Sequence, residues 1–244
     1  FLDETRKDYE KARKDLDMLA RPGEHKIIHP QYLASVLSEK AEPDAIFTAD
    51  VGTPTVWAAR YLRMNGQRRL IGSMTHGSMA NAMPQGIGIK MAMPERQVVT
   101  LSGDGGFSML MGDIISLKQH NVPVKVVVFN NGVLGFVALE MKVAGFVNTG
   151  VNLENPDFAQ IAQAAGIYGQ RVEDPAELPQ AVEQFLAHEG PAVLDVVTAS
   201  QELILPPSIN LGQAKGFGLW GLRAVMDGHM KNVIDLAEVN LFNR

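Results

Sequence analysis

The chain has 244 residues, 46% of them hydrophobic, enough to build a substantial core as one large domain. Its net charge of −5, without a Lys/Arg cluster, argues against nucleic acid as a partner. The absence of cysteine excludes disulfides, thiolate metal sites and thiol catalysis and fits a reducing, cytoplasmic compartment, and the six histidines (25, 29, 76, 120, 188, 229) show no metal-ligand spacing.

Residues 1–20 are charged and helix-permissive, the pattern of a solvated helix or linker, and Arg21-Pro22-Gly23 ends it. A segment so rich in Lys, Arg, Asp and Glu is no signal peptide, and a start at Phe1 without Met reads as a fragment or a processed product. His29 to Lys40 reads as an amphipathic helix with Tyr32, Leu33, Val36 and Leu37 on its inner face. Ala45 to Thr48 is a short strand, Asp50 to Pro54 a loop, and a helix begins near Thr55. Residues 77–93 are small, apolar and Met-rich with helical spacing despite Pro84. Gln97 to Ser102 and Val124 to Phe129 are apolar strands, and Phe107 to His120 and Leu134 to Lys142 are helices. Residues 157–165, 175–188 and 192–198 continue as helix, helix and strand. Strands alternating with helices imply an α/β fold, a parallel sheet with helices on both faces.

Leu205-Pro206-Pro207 punctuates the end of this pattern. Beyond it Leu219, Leu222, Met226, Met230, Val233, Ile234, Ala237 and Leu241 recur at helical spacing, with Gly228 as a break. The expected organisation is a charged segment at 1–24 joined to a missing preceding domain, an α/β domain at 25–200 and a C-terminal helical extension at 201–244. The apolar stretches are too short and too interrupted by Gly, Pro or charge to span a bilayer.

Two motifs carry the chemistry. Gly103-Asp104-Gly105-Gly106 closes one strand and Asn130-Asn131 closes another, and each opens a helix. Ligands of open parallel sheets bind outside the carboxyl ends of the strands. Helix N-termini attract phosphate there, and the glycines admit close backbone approach. Asp104 offers a charged oxygen, Asn131 a neutral one, and a backbone carbonyl just after Asn131 a third, a donor set suited to Mg²⁺ held together with a diphosphate. Either motif alone is a common turn; the pair on two strand ends is specific.

In this spacing the pair resembles the signature of thiamine diphosphate (ThDP) enzymes. Asp50-Val51-Gly52 resembles the loop that touches the diphosphate from another strand end. Gly77 to Pro84 resembles the segment that holds the aminopyrimidine. Phe129 to Glu140, with Thr53-Pro54 and the Leu-Pro-Pro tail, looks like the flavin-containing pyruvate oxidases and most closely their quinone-dependent pyruvate dehydrogenase branch. The resemblance runs from about residue 25 to the C-terminus and covers the diphosphate-binding domain, the last of three in that family.

The resemblance implies the following roles. Asp104, Asn131 and the Val133 carbonyl ligate Mg²⁺. Gly105, Gly106 and Leu134 offer N–H groups to the diphosphate, with Thr53 nearby. The Gly77 carbonyl and Met79 N–H bond the aminopyrimidine, and the Met79 side chain bends the cofactor. Phe136 sits between the ThDP and flavin regions, and Glu140 near the substrate. From the residues alone Met79 and Phe136 read as core and Glu140 as a solvated helix position; eight of the twelve methionines fall between 64 and 111, as adaptable core fillers do.

The implied activity is oxidation of pyruvate to acetate and CO₂ in a longer chain, with FAD bound mainly by an absent domain and electrons passed to membrane quinone. A homo-oligomer, a homotetramer in this branch, is implied, with a catalytic Glu from the pyrimidine-binding domain of a neighbouring subunit. The 244-residue chain alone is therefore expected to be inactive. In this branch the C-terminal tail meets the membrane, so a peripheral place on its inner face is implied. The tail's mixed charges (Lys215, Arg223, Lys231 and Arg244 against Asp227, Asp235 and Glu238) favour docking on protein instead. Two alternatives stay open: a non-oxidative ThDP lyase or acetolactate-synthase-type transferase, and a non-catalytic assembly or docking domain.

Overall fold

The computed structural model describes residues 1–22, 27–204 and 210–242. Helices α1 (Leu2–Leu19) and α2 (Pro30–Lys40) precede β1 (Ile46–Ala49), α3 (Thr53–Tyr61), β2 (Arg69–Gly72) and α4 (Ala82–Ala92). Strand β3 (Val98–Gly103) leads into α5 (Asp104–Met109), a 3₁₀ turn (Met111–Asp113) and α6 (Ile114–Gln119). Strand β4 (Lys125–Asn130) leads into α7 (Gly135–Val143) and α8 (Phe158–Ala164), followed by β5 (Tyr168–Val172), α9 (Leu178–Ala187) and β6 (Ala192–Val197). The tail forms α10 (Leu211–Met226), α11 (Met230–Ala237) and a π-helical turn (Glu238–Phe242).

The six strands form one sheet in the order β2-β1-β3-β4-β6-β5, and every pairing is parallel. Ala49, Leu101, Val127 and Leu194 share one register row and face one core. That core is closed by α2, α3 and α9, with Leu33, Trp57 and Phe185 at its centre. The opposite core takes Val126, Val128 and Val193 and is closed by α4, α5, α6 and α8 through Met83, Phe107, Leu117 and Phe158. Strand β4 is buried on both faces, so its sequence is a continuous apolar run rather than an alternation.

Two strands went unread in the sequence, β2 and β5. They are the two edges of the sheet and are only partly buried, so neither carries the apolar run that marks β3, β4 and β6. The helix expected across 77–93 starts only at Ala82, and 77–81 is a turn in which Gly77 and Ala80 take positive φ. Pro84 falls in the first turn of α4, where its missing N–H has no internal bond to lose. The helix expected over Phe107 to His120 is broken: Leu110 leaves the helical region at φ −125° and Gly112 weakens local helical preference. Phe107, Ile114 and Leu117 still reach the same core, which is why their spacing imitates one helix.

Helix α1 is largely exposed, but Arg13 lies over the Tyr61 ring and Leu16 packs against the first core. Gly228 (φ +80°) separates α10 from α11, as its sequence position suggested. Gly23, His25, Leu205-Pro206-Pro207, the Leu241 side chain and Arg244 lie outside the described residues.

Candidate functional site

From β1 the chain moves outward to β2, then crosses back to place β3 on the other side of β1. Connections diverging from neighbouring strands leave a crevice beyond their carboxyl ends, the usual ligand position in such sheets. The loops after β1, β3 and β4 meet there, together with the turn at 77–81, and enclose a cleft of about 180 Å³. Thr53, Gly77, Met79, Asp104, Gly105, Gly106, Asn131, Val133, Leu134 and Phe136 all line it. Glu140 does not. It lies on α7 one turn beyond Phe136, exposed, because the helix axis carries it away from the cleft.

Asp104 is buried at the junction of β3 and α5. Its Oδ1 accepts from the Gly105 N–H (2.8 Å), and its Oδ2 accepts from the Gly132 N–H (2.7 Å) and the Asn155 side-chain amide (2.7 Å). Burial pushes the carboxyl up from its ordinary value, and these donors oppose the shift by favouring the charged form. Gly132 takes φ +68°, a left-handed conformation that lets its N–H meet Asp104 right after Asn131. The Asn131 side-chain oxygen accepts from the Val133 N–H at 3.2 Å.

Asp50, after β1, is also buried, and its Oδ1 accepts from the Ala82 N–H at 2.8 Å. Burial raises this carboxyl too, against the Ala82 N–H and the Ser102 hydroxyl. A Cβ on Gly106 would stand 2.4 Å from Asp50 Oδ2, so a side chain there would have to displace the Asp50 carboxylate. Asp50 thus ties the 77–82 turn to the sheet, while its loop, Asp50 to Pro54, lines the cleft. The turn holds Met79 on the cleft wall, 37% exposed, beside Ala80 at φ +60°. A left-handed alanine is strained, and such strain persists where surrounding contacts impose it.

Two of the expected phosphate donors are already engaged. The Leu134 N–H bonds the Val151 carbonyl at 2.9 Å, and the Gly105 N–H is held by Asp104. Other donors lie where the sequence placed phosphate, at the N-terminus of the helix that follows Asn131. Helix α7 makes its first internal bond from the Ala138 N–H to the Leu134 carbonyl (2.9 Å), so the N–H groups of Gly135, Phe136 and Val137 precede the helix ladder. All three residues line the cleft. This nine-residue helix therefore presents its positive end to the cleft.

These residues fit Mg²⁺ and a diphosphate. Among the described residues no group of three or more His, Asp or Glu is placed to hold a metal by side chains alone. A cation beside Asp104 must draw on the Asn131 amide, a backbone carbonyl and oxygens of the ligand. Mg²⁺ is commonly bound in that way, through one or two carboxylates and substrate phosphates.

The sequence missed Asn155. A single Asn before Pro carries no sequence signal, and only the pairing of 151–153 with 132–134 brings it to Asp104.

A family described as Thiamine pyrophosphate enzyme, C-terminal TPP binding domain, matches residues 50–196. YdaP of Bacillus subtilis (strain 168), by name a thiamine pyrophosphate-containing protein, is 37% identical over 80% of this chain and 34% of its own length. The mitochondrial acetolactate synthase catalytic subunit of Aspergillus candidus is 33% identical over 83% of this chain and 30% of its own. An acetolactate synthase of Arthrospira platensis is 33% identical over 79% of this chain and 34% of its own. The chain spans about a third of the length of these curated relatives.

Proposed function

This chain belongs to the thiamine pyrophosphate enzymes, whose C-terminal TPP-binding domain it carries, and from that premise we propose that its cleft holds Mg²⁺ and ThDP for the decarboxylation of pyruvate. The observation that carries the reading is the convergence of Asp104, Asn131, Val133 and the α7 N-terminus on one cleft at the topological switch point. Asp104, Asn131 and the Val133 carbonyl hold the cation. Gly106 and the first turn of α7 receive the diphosphate. Gly77 and Met79 form the wall against the aminopyrimidine, and Phe136 borders the reacting end. Bound ThDP supplies the carbon nucleophile and electron sink for cleaving the bond beside a 2-oxo group.

The test is ThDP binding by the intact protein, followed calorimetrically with and without Mg²⁺. Binding is expected to require the cation, and Asp104→Ala to weaken it at least about a hundredfold, since an ionised ligand is lost. Cation-independent binding, or full affinity in the variant, overturns the reading.

For the whole protein, the oxidative course is the first reading: pyruvate, water and quinone give acetate, CO₂ and quinol, with FAD as the intermediate electron carrier. The Phe129–Glu140 segment and the amphipathic tail support it. A second reading is favoured by the relatives named acetolactate synthase: two pyruvates give acetolactate and CO₂. Product analysis of the intact protein separates them. Acetate formed only with an electron acceptor supports the first, and acetolactate formed without one supports the second.

A further inference from the structure

A chain of polar side chains leads away from Asp104 through the sheet. The Asn155 side-chain nitrogen donates to Asp104 Oδ2 (2.7 Å) and to Asn130 Oδ1 (2.9 Å). The Asn130 nitrogen donates to Asp195 Oδ1 at 2.9 Å. Asp195 Oδ2 accepts from the Arg171 guanidinium (2.7 Å) and the Phe158 N–H (3.2 Å). Arg171 also reaches Glu173 at 2.7 Å. Asp195 is fully buried in the apolar run of β6, and Asn130 is buried at the tip of β4. A carboxylate in that place is costly unless it is paired, and no step assigned above uses it.

The direction of the chain is fixed by hydrogen-bond chemistry. Asp195, held by Arg171, is an acceptor, so Asn130 must turn its nitrogen toward it. The Asn130 oxygen then faces Asn155, which must answer with its amide nitrogen. That nitrogen has a second hydrogen, and it goes to Asp104. The loop that delivers Asn155 is itself pinned: Leu134 N–H to Val151 carbonyl and Leu153 N–H to Gly132 carbonyl, both 2.9 Å.

We propose that Asn155 and Asn130, anchored on Asp195 and Arg171, are positioning residues that fix the orientation of the Asp104 carboxylate for Mg²⁺. The inference rests on the cofactor reading above and gives the first asparagine of the Asn130-Asn131 pair a task distinct from that of the second. Its consequence is cation selectivity. Mg²⁺ demands near-ideal octahedral geometry at short distance, whereas Ca²⁺ accepts longer and more variable contacts. A carboxylate left with only the Gly105 and Gly132 N–H groups is held less tightly and should therefore lose Mg²⁺ more than Ca²⁺.

The experiment uses the intact protein and its Asn155→Leu variant, which keeps the side chain's approximate shape and removes both donors. ThDP uptake is titrated with Mg²⁺ and separately with Ca²⁺, and thermal unfolding is recorded alongside. The Mg²⁺ concentration for half-saturation should rise about tenfold to a hundredfold, the usual effect of removing a partner of a metal ligand. The rise for Ca²⁺ should be clearly smaller. Asn155→Ser, with one donor left, should fall between, and Asp195→Asn should shift selectivity the same way to a smaller extent. An unchanged Mg²⁺ requirement, or equal losses with both cations, overturns the proposal. Wild-type protein that takes up no ThDP with either cation removes the cofactor reading itself, and the positioning role falls with it.

Discussion

Several residues that matter most here are polar groups in places that disfavour them. Asp50, Asp104 and Asp195 are buried carboxyls, each raised by desolvation and each drawn back by hydrogen-bond donors. Lys142, buried on α7, is lowered to about 8 by burial, with its ammonium bonded to Gln201 (2.6 Å) and lying over the Trp220 ring. Lys125 is lowered to about 8 by burial and by the charge of Lys90. The unfolded lysines keep their protons to about pH 10.5. Between pH 8 and 10.5 the unfolded state binds more protons, so stability rises with pH across that window and is lost as pH falls back through 8. The urea midpoint of the wild type should follow this rise. Lys142→Met, which keeps the apolar stem, should remove its own share, on the order of 1–3 kcal/mol, and raise stability at pH 7. A pH profile identical to that of the wild type would contradict this account.

At the scale of elements, α7 connects the cleft to the tail. Its first turn borders the cleft, and its last turn packs against α10. The contact depends on Gly216, where a Cβ would stand 1.7 Å from the Val143 carbonyl oxygen. Buried Trp220 and Ala224 and the Arg223 bond to the Gly145 carbonyl (2.6 Å) complete it. Gly216→Ala cannot be absorbed by a side-chain rotation, since the opposing atom is backbone. It should cost about 1–3 kcal/mol by pushing α10 off α7, read as a lower unfolding midpoint and faster amide exchange in both helices. The sequence showed the helical spacing of the tail but not its seat, because Gly216 looks like any other helix glycine until Val143 is placed beneath it. The same limit applies to strands: β3, β4 and β6 announced themselves by apolar runs, while the edge strands β2 and β5, half-exposed, did not.

For the whole molecule, the cleft holds only part of the catalytic apparatus expected. The acids on its wall are Asp50 and Asp104, and both are engaged in holding the site together. We therefore propose that the 244-residue chain alone does not decarboxylate pyruvate and that the activating acid is supplied from outside it. Turnover by the purified chain would refute this. The tail is docked through α10, yet Leu222, Met226, Met230 and Ile234 remain exposed, and no described helix is long and apolar enough to cross a membrane. The mixed charges that favour protein docking are met by the α10–α7 contact; for the exposed apolar side chains left over we propose a lipid surface. Liposome co-sedimentation of the intact protein should weaken when residues 211–244 are removed, and equal binding by both forms would exclude a membrane role for the tail. The sequence by itself determined the fold class, the cofactor family and the Asp104–Asn131 pair, because these rest on local patterns: apolar runs, strand-end glycines and short motifs at fixed spacing. Only the tertiary structure decided which N–H groups remain for a phosphate, that Glu140 stands outside the cleft and that Asn155 reaches Asp104. Those outcomes depend on hydrogen-bond competition and on contacts between segments distant in the chain, which no local pattern encodes.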